Sequence, residues 1–331
     1  MLSSPFRREL ASCAFALLLA GGGTAEAERI EVAGKPVPLN PVDPGQRKVG
    51  GLRYRGGLVL TSPSPRFGGL SSMRLSEEGS RVTFISDEGS WLTACLVHDE
   101  RGDLVGLSEA EMGRLLDLNG RPLEEKDAAD AESLALMPDG SMVVGFEHQH
   151  RMWRYPATAG RPDGIPIAVP PPSGVEQAPA NGGIEALVAW DGGGLLALTE
   201  YWVLDQVIRG WVGGPDRWRP LGYLFDGAFR PSDMARLPSG DVLVLERAYN
   251  PQRGIVGIRF RRVARKAVKG EAQLVSQLIA ELGPPLTVDN LEGIDAVRGK
   301  NGETLVYAVS DNNFQASDQR TLLLMFSLEK N

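Results

Sequence analysis

Cysteine is nearly missing from this 331-residue chain, with Cys13 and Cys95 its two examples. Cys13 falls in an N-terminal stretch that reads as a cleavable leader. The mature chain would then keep Cys95 alone and close no internal disulfide, so its stability must come from a packed core. Histidine is also scarce, with three residues, two of them at His148 and His150. Without a third ligand placed by the pattern, that pair is a weak signal for a transition metal. No Gly-x-Ser-x-Gly elbow is present to support a serine esterase. Basic residues do not cluster in the repeated parts of the chain and the formal net charge is −7. Nothing points to a nucleic-acid partner. The apolar run Ala14–Ala20 is too short to span a bilayer.

That run instead completes an export signal over residues 1–27. Arg7-Arg8 is its charged start and Ala25-Glu26-Ala27 its cleavage site. The residues around Arg7-Arg8 match twin-arginine export poorly, which favours the general route. Cleavage near Ala27 predicts a periplasmic or secreted protein, and removing two acids with two bases leaves the charge unchanged. Residues 28–48, rich in Pro, read as an extended lead-in, and residues 49–331 as one domain.

What the chain has in quantity is one repeated phrase: an acid, an apolar segment, a turn, and a β-rich run ending on another acid. Glu132-Ser133-Leu134-Ala135 leads through Pro138-Asp139-Gly140 to Phe146-Glu147. Glu185 leads to Glu200, Asp233 to Glu246, and Glu292 to Asp311; a weaker copy runs from Gly69 to Asp87. The anchors 69, 132, 185, 233 and 292 stand 63, 53, 48 and 59 residues apart. Repeats of this size with several strands each predict an all-β chain folded as a single β-propeller. Six blades are expected, with five or seven as alternatives, and the N- and C-terminal strands close the ring. Packing between blades explains why Val82–Ile85, Leu195–Leu198 and Val242–Leu245 are apolar on both faces. A monomer is expected.

Circular symmetry turns equivalent positions into rings. Glu132, Glu185, Asp233 and Glu292 would form one carboxylate ring, and Asp87, Glu147, Glu200, Glu246 and Asp311 a second. Clustered carboxylates raise one another's pKa unless cations answer them. The answer could be Ca²⁺ or another hard divalent cation, held by Glu132, Glu185, Asp233, Glu292 and Asp311, or it could be Arg and Lys. The competing reading is that these acids cap turns and pair with Arg of neighbouring blades. His148 and His150, two apart, would share a face of a strand. His148, Glu185 and Asp311 are the candidate catalytic residues. Arg151, Arg247 and Asn181 are the candidates for contacting substrate, Asn181 because Asn181-Gly182-Gly183 can turn backbone N–H groups toward an anion.

Several segments, in this order along the chain, resemble the phytase-like family described by an "esterase-like activity of phytase". They are Phe67–Ser71, Asp130-Ala131-Glu132, Phe146-Glu147, Asn181–Ala186, Leu245-Glu246-Arg247, Asp289–Gly293, Ser310–Phe314 and Gln319–Leu324. The likeness runs from about Gly50 to the C-terminus. It implies a secreted propeller that hydrolyses a small-molecule ester or phosphate ester. Ring carboxylates with basic neighbours fit metal-assisted hydrolysis, in which the cation holds phosphate oxygens and acidifies a water. The second function class is a non-catalytic propeller that binds a ligand or protein. One departure from the family pattern is Asn312, where an Asp is usual, which removes a charge from a cation site.

Overall fold

The computed structural model describes residues 27–156, 160–250, 254–315 and 317–329. The expected leader therefore lies outside the described residues, apart from Ala27. Among the described residues, no helix is long and apolar enough to cross a membrane.

Five sheets, antiparallel except for one short parallel edge pairing at Gly222–Tyr223 with Gln273–Leu274, make five blades of a β-propeller. Their innermost strands are Leu70–Leu75, Ala131–Leu136, Ile184–Trp190, Arg230–Arg236 and Asn290–Arg298. Each packs against the next, and the fifth packs against the first. The repeat count thus equals the blade count, and five replaces the expected six. The wide spacings hold long outer strands, such as Leu104–Arg114, and connections that carry no further blade. The strand Leu52–Thr61 pairs with Thr321–Leu328, so both chain ends complete the fifth blade. Residues of the lead-in run along blade edges: Glu28–Arg29 pairs with the first blade and Ala33–Pro36 with Leu58–Thr61.

A blade is apolar on both faces, so the core is a set of wedges between blades. Five buried clusters fill them among the described residues. Leu243, Leu245 and Phe260 of the fourth blade meet Ile294, Val306 and Phe326 of the fifth. Phe84 and Leu92 of the first blade meet Tyr307 and Met325 of the fifth. Serine hydroxyls tie neighbouring inner strands together: Ser71 Oγ donates to the Ala131 carbonyl at 2.6 Å, Ser133 Oγ to Ile184 at 2.7 Å and Ser232 Oγ to Leu291 at 3.2 Å.

The hub is ionic. Arg74 is 3% exposed and Asp233 0%, and their side chains meet at 3.0 Å. The Arg74 guanidinium also donates to carbonyls of four blades, at Met73, Leu187, Met234 and Ile294. Five donors converge on the Asp233 oxygens: two guanidinium nitrogens, Ser72 Oγ and the N–H groups of Met234 and Ile294. Burial works against the Arg74 charge, but Asp233 and Asp295 outweigh it, and its pKa lies above the ordinary value. Burial pushes the Asp233 carboxyl up, against its partner. Five converging donors are the surroundings of a carboxylate, and we take the pair as ionised.

Removing one member leaves the other charge buried and unanswered. Arg74→Leu is expected to cost about 3–5 kcal/mol of stability, read by urea denaturation. Arg74→Leu combined with Asp233→Leu should recover part of the loss. A single-mutant loss below about 1 kcal/mol would show that the pair does not hold the hub.

Candidate functional site

Each inner strand carries a register shift near its start, leaving one residue without a cross-strand partner. In blade order these residues are Ser71, Glu132, Glu185, Ser232 and Glu292. On the facing strands, the second residue beyond the register shift is Asp87, Glu147, Glu200, Arg247 or Asp311. Inner strands begin at the same end of the barrel where the facing strands finish, so the two sets share one mouth. A bulge re-aims a side chain and ends regular pairing.

This register corrects the fourth blade. Asp233 is one residue past the ring position, which Ser232 occupies, and a one-residue slip turns a side chain to the other face. Its carboxylate therefore enters the hub beside Arg74 and is no candidate for the metal-ligand set. Glu246 is likewise one residue short of the position that Arg247 fills. It points between blades and accepts a hydrogen bond from the Tyr223 hydroxyl at 2.6 Å.

The mouth opens on a cavity of about 470 Å³. Asp87, Asp130, Glu132, Glu147, Glu185, Glu292 and Asp311 line it, with Lys126, Arg247 and His148 as its basic side chains. Lys126 Nζ sits 2.8 Å from both Asp87 Oδ2 and Asp130 Oδ1. Arg247 reaches Glu200 at 3.2 Å, Asn290 Oδ1 at 2.6 Å and Glu292. Both cations are thus held by carboxylates. His148 Nε2 stands 3.2 Å from Asp130 Oδ2.

The remaining charge is poorly answered. Burial, then Asp130, Glu292 and Glu147, push Glu132 well above the carboxylate range. Burial, then Glu147 and Glu200, do the same to Glu185. Asp311 rises through burial and then Glu292 and Asp87. Glu147 is pushed up to about 7 by burial, although the Gly183 N–H donates to it. A Cβ at Gly183 would lie 2.5 Å from His150 Nδ1, so a larger residue there would push the imidazole aside. The Asn181-Gly182-Gly183 turn therefore brings an N–H to an anion, and the anion is the protein's own.

Glu132, Glu185, Glu292, Asp311, His148, Asn181 and Arg247 come together around the one cavity. Arg151 does not. Residues 147–150 form a turn, with His148 at φ 52°, so the strand does not continue through them. Arg151 opens the next strand, with its guanidinium 3.9 Å from the Phe146 ring centroid and 4.4 Å from that of Trp153. The same turn separates the histidines, and His150 Nε2 faces the Pro179 carbonyl at 3.1 Å. Asn312 lies off the cavity too, its Oδ1 accepting from the N–H groups of Gly69 and Phe314 at 3.2 Å each. Sequence reasoning gave no role to Lys126 or Tyr249, and noted Asp130 and Asn290 only within motifs. Asp130 stands two residues before Glu132 and four after Lys126, and that spacing is the signal that could have found both Asp130 and Lys126.

The donor set suits a hard cation. Oxygens of Asp130, Glu132 and Glu147 lie within 4.8 Å of one another. They are close enough to share one ion, in a site where carboxylates outnumber cations. Oxygen donors of this kind suit Ca²⁺.

Comparison with known proteins gives one family. The family model described as "Phytase-like: Esterase-like activity of phytase" matches residues 65–314. No curated protein matches. Among solved structures, a protein of unknown function from Bacteroides caccae is 13% identical, over 72% of this chain and 67% of its own, at TM-score 0.32. The β-propeller domain of Myceliophteria thermophila Cps50 (Swd1) is 12% identical, over 79% of this chain and 97% of its own, at TM-score 0.37.

Carboxyls raised in the folded state hold protons that the unfolded chain releases above about pH 4.5. Their stabilisation is full below that pH and is lost as pH rises through the folded value, about 7 for Glu147. In chelator, the melting temperature should fall between pH 5 and pH 8, by about 2–4 °C per kcal/mol, and Glu147→Gln should flatten the slope. A profile that is level in the wild type would contradict the crowding of these carboxylates.

Proposed function

The chain belongs to the phytase-like family, whose defining description is esterase-like activity, and from that premise we propose an exported, cation-assisted hydrolase of phosphate esters or other esters. Membership supports hydrolase-like function in coarse outline. The acidic cavity carries the finer reading. Its single most telling observation is the trio Asp130, Glu132 and Glu147, with oxygens within 4.8 Å of one another.

In this reading Asp130, Glu132 and Glu147 hold Ca²⁺ or another hard divalent cation, with Glu185, Glu292 and Asp311 completing its surroundings. Such an ion supplies a Lewis acid that polarises an ester oxygen and acidifies a water. The chain's own groups do the rest. Glu185, hydrogen-bonded to Glu147 and pushed up by burial and its acidic neighbours, is the carboxyl that passes a proton. His148, oriented by Asp130, exchanges protons between the cavity and solvent. Arg247 braces Glu200 and Glu292 and leaves Glu292 facing inward. Asn181, exposed at the mouth, offers an amide to the incoming substrate.

The commitment of both cavity cations to carboxylates favours a second reading, a propeller that binds a ligand without turning it over. One experiment separates the two. The mature protein is assayed on p-nitrophenyl phosphate, p-nitrophenyl acetate and phytate, with Ca²⁺ and with chelator. Turnover on at least one ester is expected, abolished by chelator and lowered about 10²-fold or more in Glu185→Gln. No turnover on any ester, with melting unchanged by chelator, would leave the binding reading in its place.

A further inference from the structure

A second chamber, of about 430 Å³, adjoins the acidic cavity and shares Asp87, Lys126 and Asn313 with it. Its furnishing differs. Arg66, Arg114 and Lys126 line it against Asp87 and Glu88, with Pro65 and Phe314 as its apolar part. Lys126 is occupied by Asp87, Asp130 and Glu88, and Arg66 meets Glu28. Arg114 differs from both: among the described residues, no carboxylate lies within ion-pair distance of it. Its Nη1 donates to the carbonyls of Glu88 at 2.6 Å and Leu123 at 3.4 Å. Nε and Nη2 have no partner among the described residues.

The residue directly opposite Arg114 in the sheet is Ser90. Residues paired in this way project to the same face. Ser90 is 1% exposed and is one of the residues lining the chamber; its buried hydroxyl has no hydrogen-bond partner. Buried hydroxyls are almost always bonded, so an orphan one asks what occupies the space before it. A guanidinium fork without a carboxylate and a free hydroxyl on one face together match an oxyanion. The fork can meet two oxygens of a carboxylate or phosphate in parallel, and the hydroxyl can donate to one more.

We propose that this chamber is an oxyanion subsite, in which Arg114 and Ser90 hold a carboxylate or phosphate group while Arg66 adds positive field. Phe314 and Pro65 bound it on the apolar side and limit it to a compact anion. The assignment does not rest on hydrolysis in the acidic cavity.

The test is calorimetric titration of the mature protein with inorganic phosphate and with acetate, in chelator. Saturable binding is expected, weakened at least tenfold in Arg114→Met and in Ser90→Ala, and only partly in Arg114→Lys. Arg114 also braces two carbonyls, so circular dichroism and melting accompany each variant; Ser90→Ala breaks no bond and keeps the test independent of folding. Tighter phosphate assigns a phosphoryl group, and tighter acetate a carboxylate. Absence of binding in chelator, or equal affinity in Arg114→Met and Ser90→Ala, would overturn the proposal. Phosphate bound only with Ca²⁺, and lost in Glu185→Gln, would place the anion on the cation of the acidic cavity. That result overturns the subsite and leaves the hydrolase reading intact, whereas intact phosphate binding without ester turnover does the reverse.

Discussion

The architecture depends on one buried ion pair. A propeller brings its inner strands together around an axis, where backbone carbonyls of different blades face a narrow space with no room for regular pairing. Arg74 answers carbonyls from the first, third, fourth and fifth blades, and Asp233 fixes where its guanidinium sits. Buried polar groups need partners, and here one side chain serves four blades. Buried pairs gain little net energy relative to a well-packed apolar core. What this pair supplies is position: it sets how far the blades approach and so how wide the mouth opens.

Above that hub, the site is made by backbone irregularity. One additional residue at the start of each inner strand frees a side chain from the sheet and turns it to the axis. Three blades use the place for glutamate and two for serine. The serines bond to the neighbouring strand, and the glutamates are left facing one another. The next ring adds three acids facing the cavity, one, Glu200, drawn to Arg247, and that arginine itself. The result is a cavity whose acids exceed its bases, where burial and mutual repulsion favour the protonated forms. Such a site, when cation-free, favours protons on its carboxyls, and its oxygen donors are of the kind that suits a hard cation.

The repeat was legible in the chain because its parts are local: a turn, an apolar run and a terminal acid recur together. Counting repeats gave the fold, and the spacing gave Glu132, Glu185, Glu292 and Asp311 as neighbours. The fourth blade was misread because it offers decoys. Asp233 and Glu246 are acids, each one residue from the ring position, and spacing along a chain does not reveal where a bulge falls. Arg151 failed for a related reason: a turn at 147–150 replaced the strand that would have aimed it. Lys126 and Asp130 come from a connection between blades, where no periodicity marks them. Family resemblance pointed to Asp130-Ala131-Glu132 and Asn181–Ala186 without saying what each residue does; geometry shows the first supplying carboxylates and the second an N–H to Glu147.

The clasp between Leu52–Thr61 and Thr321–Leu328 also governs how such a molecule comes into being. Strand partners that far apart along the polypeptide meet only after nearly all of it has been made, and distant pairings of this kind slow folding. The fifth wedge of the core and the carboxylates of the fifth blade are therefore last to find their places. The pocket exists only in a finished ring, and a nascent chain carries none of its chemistry.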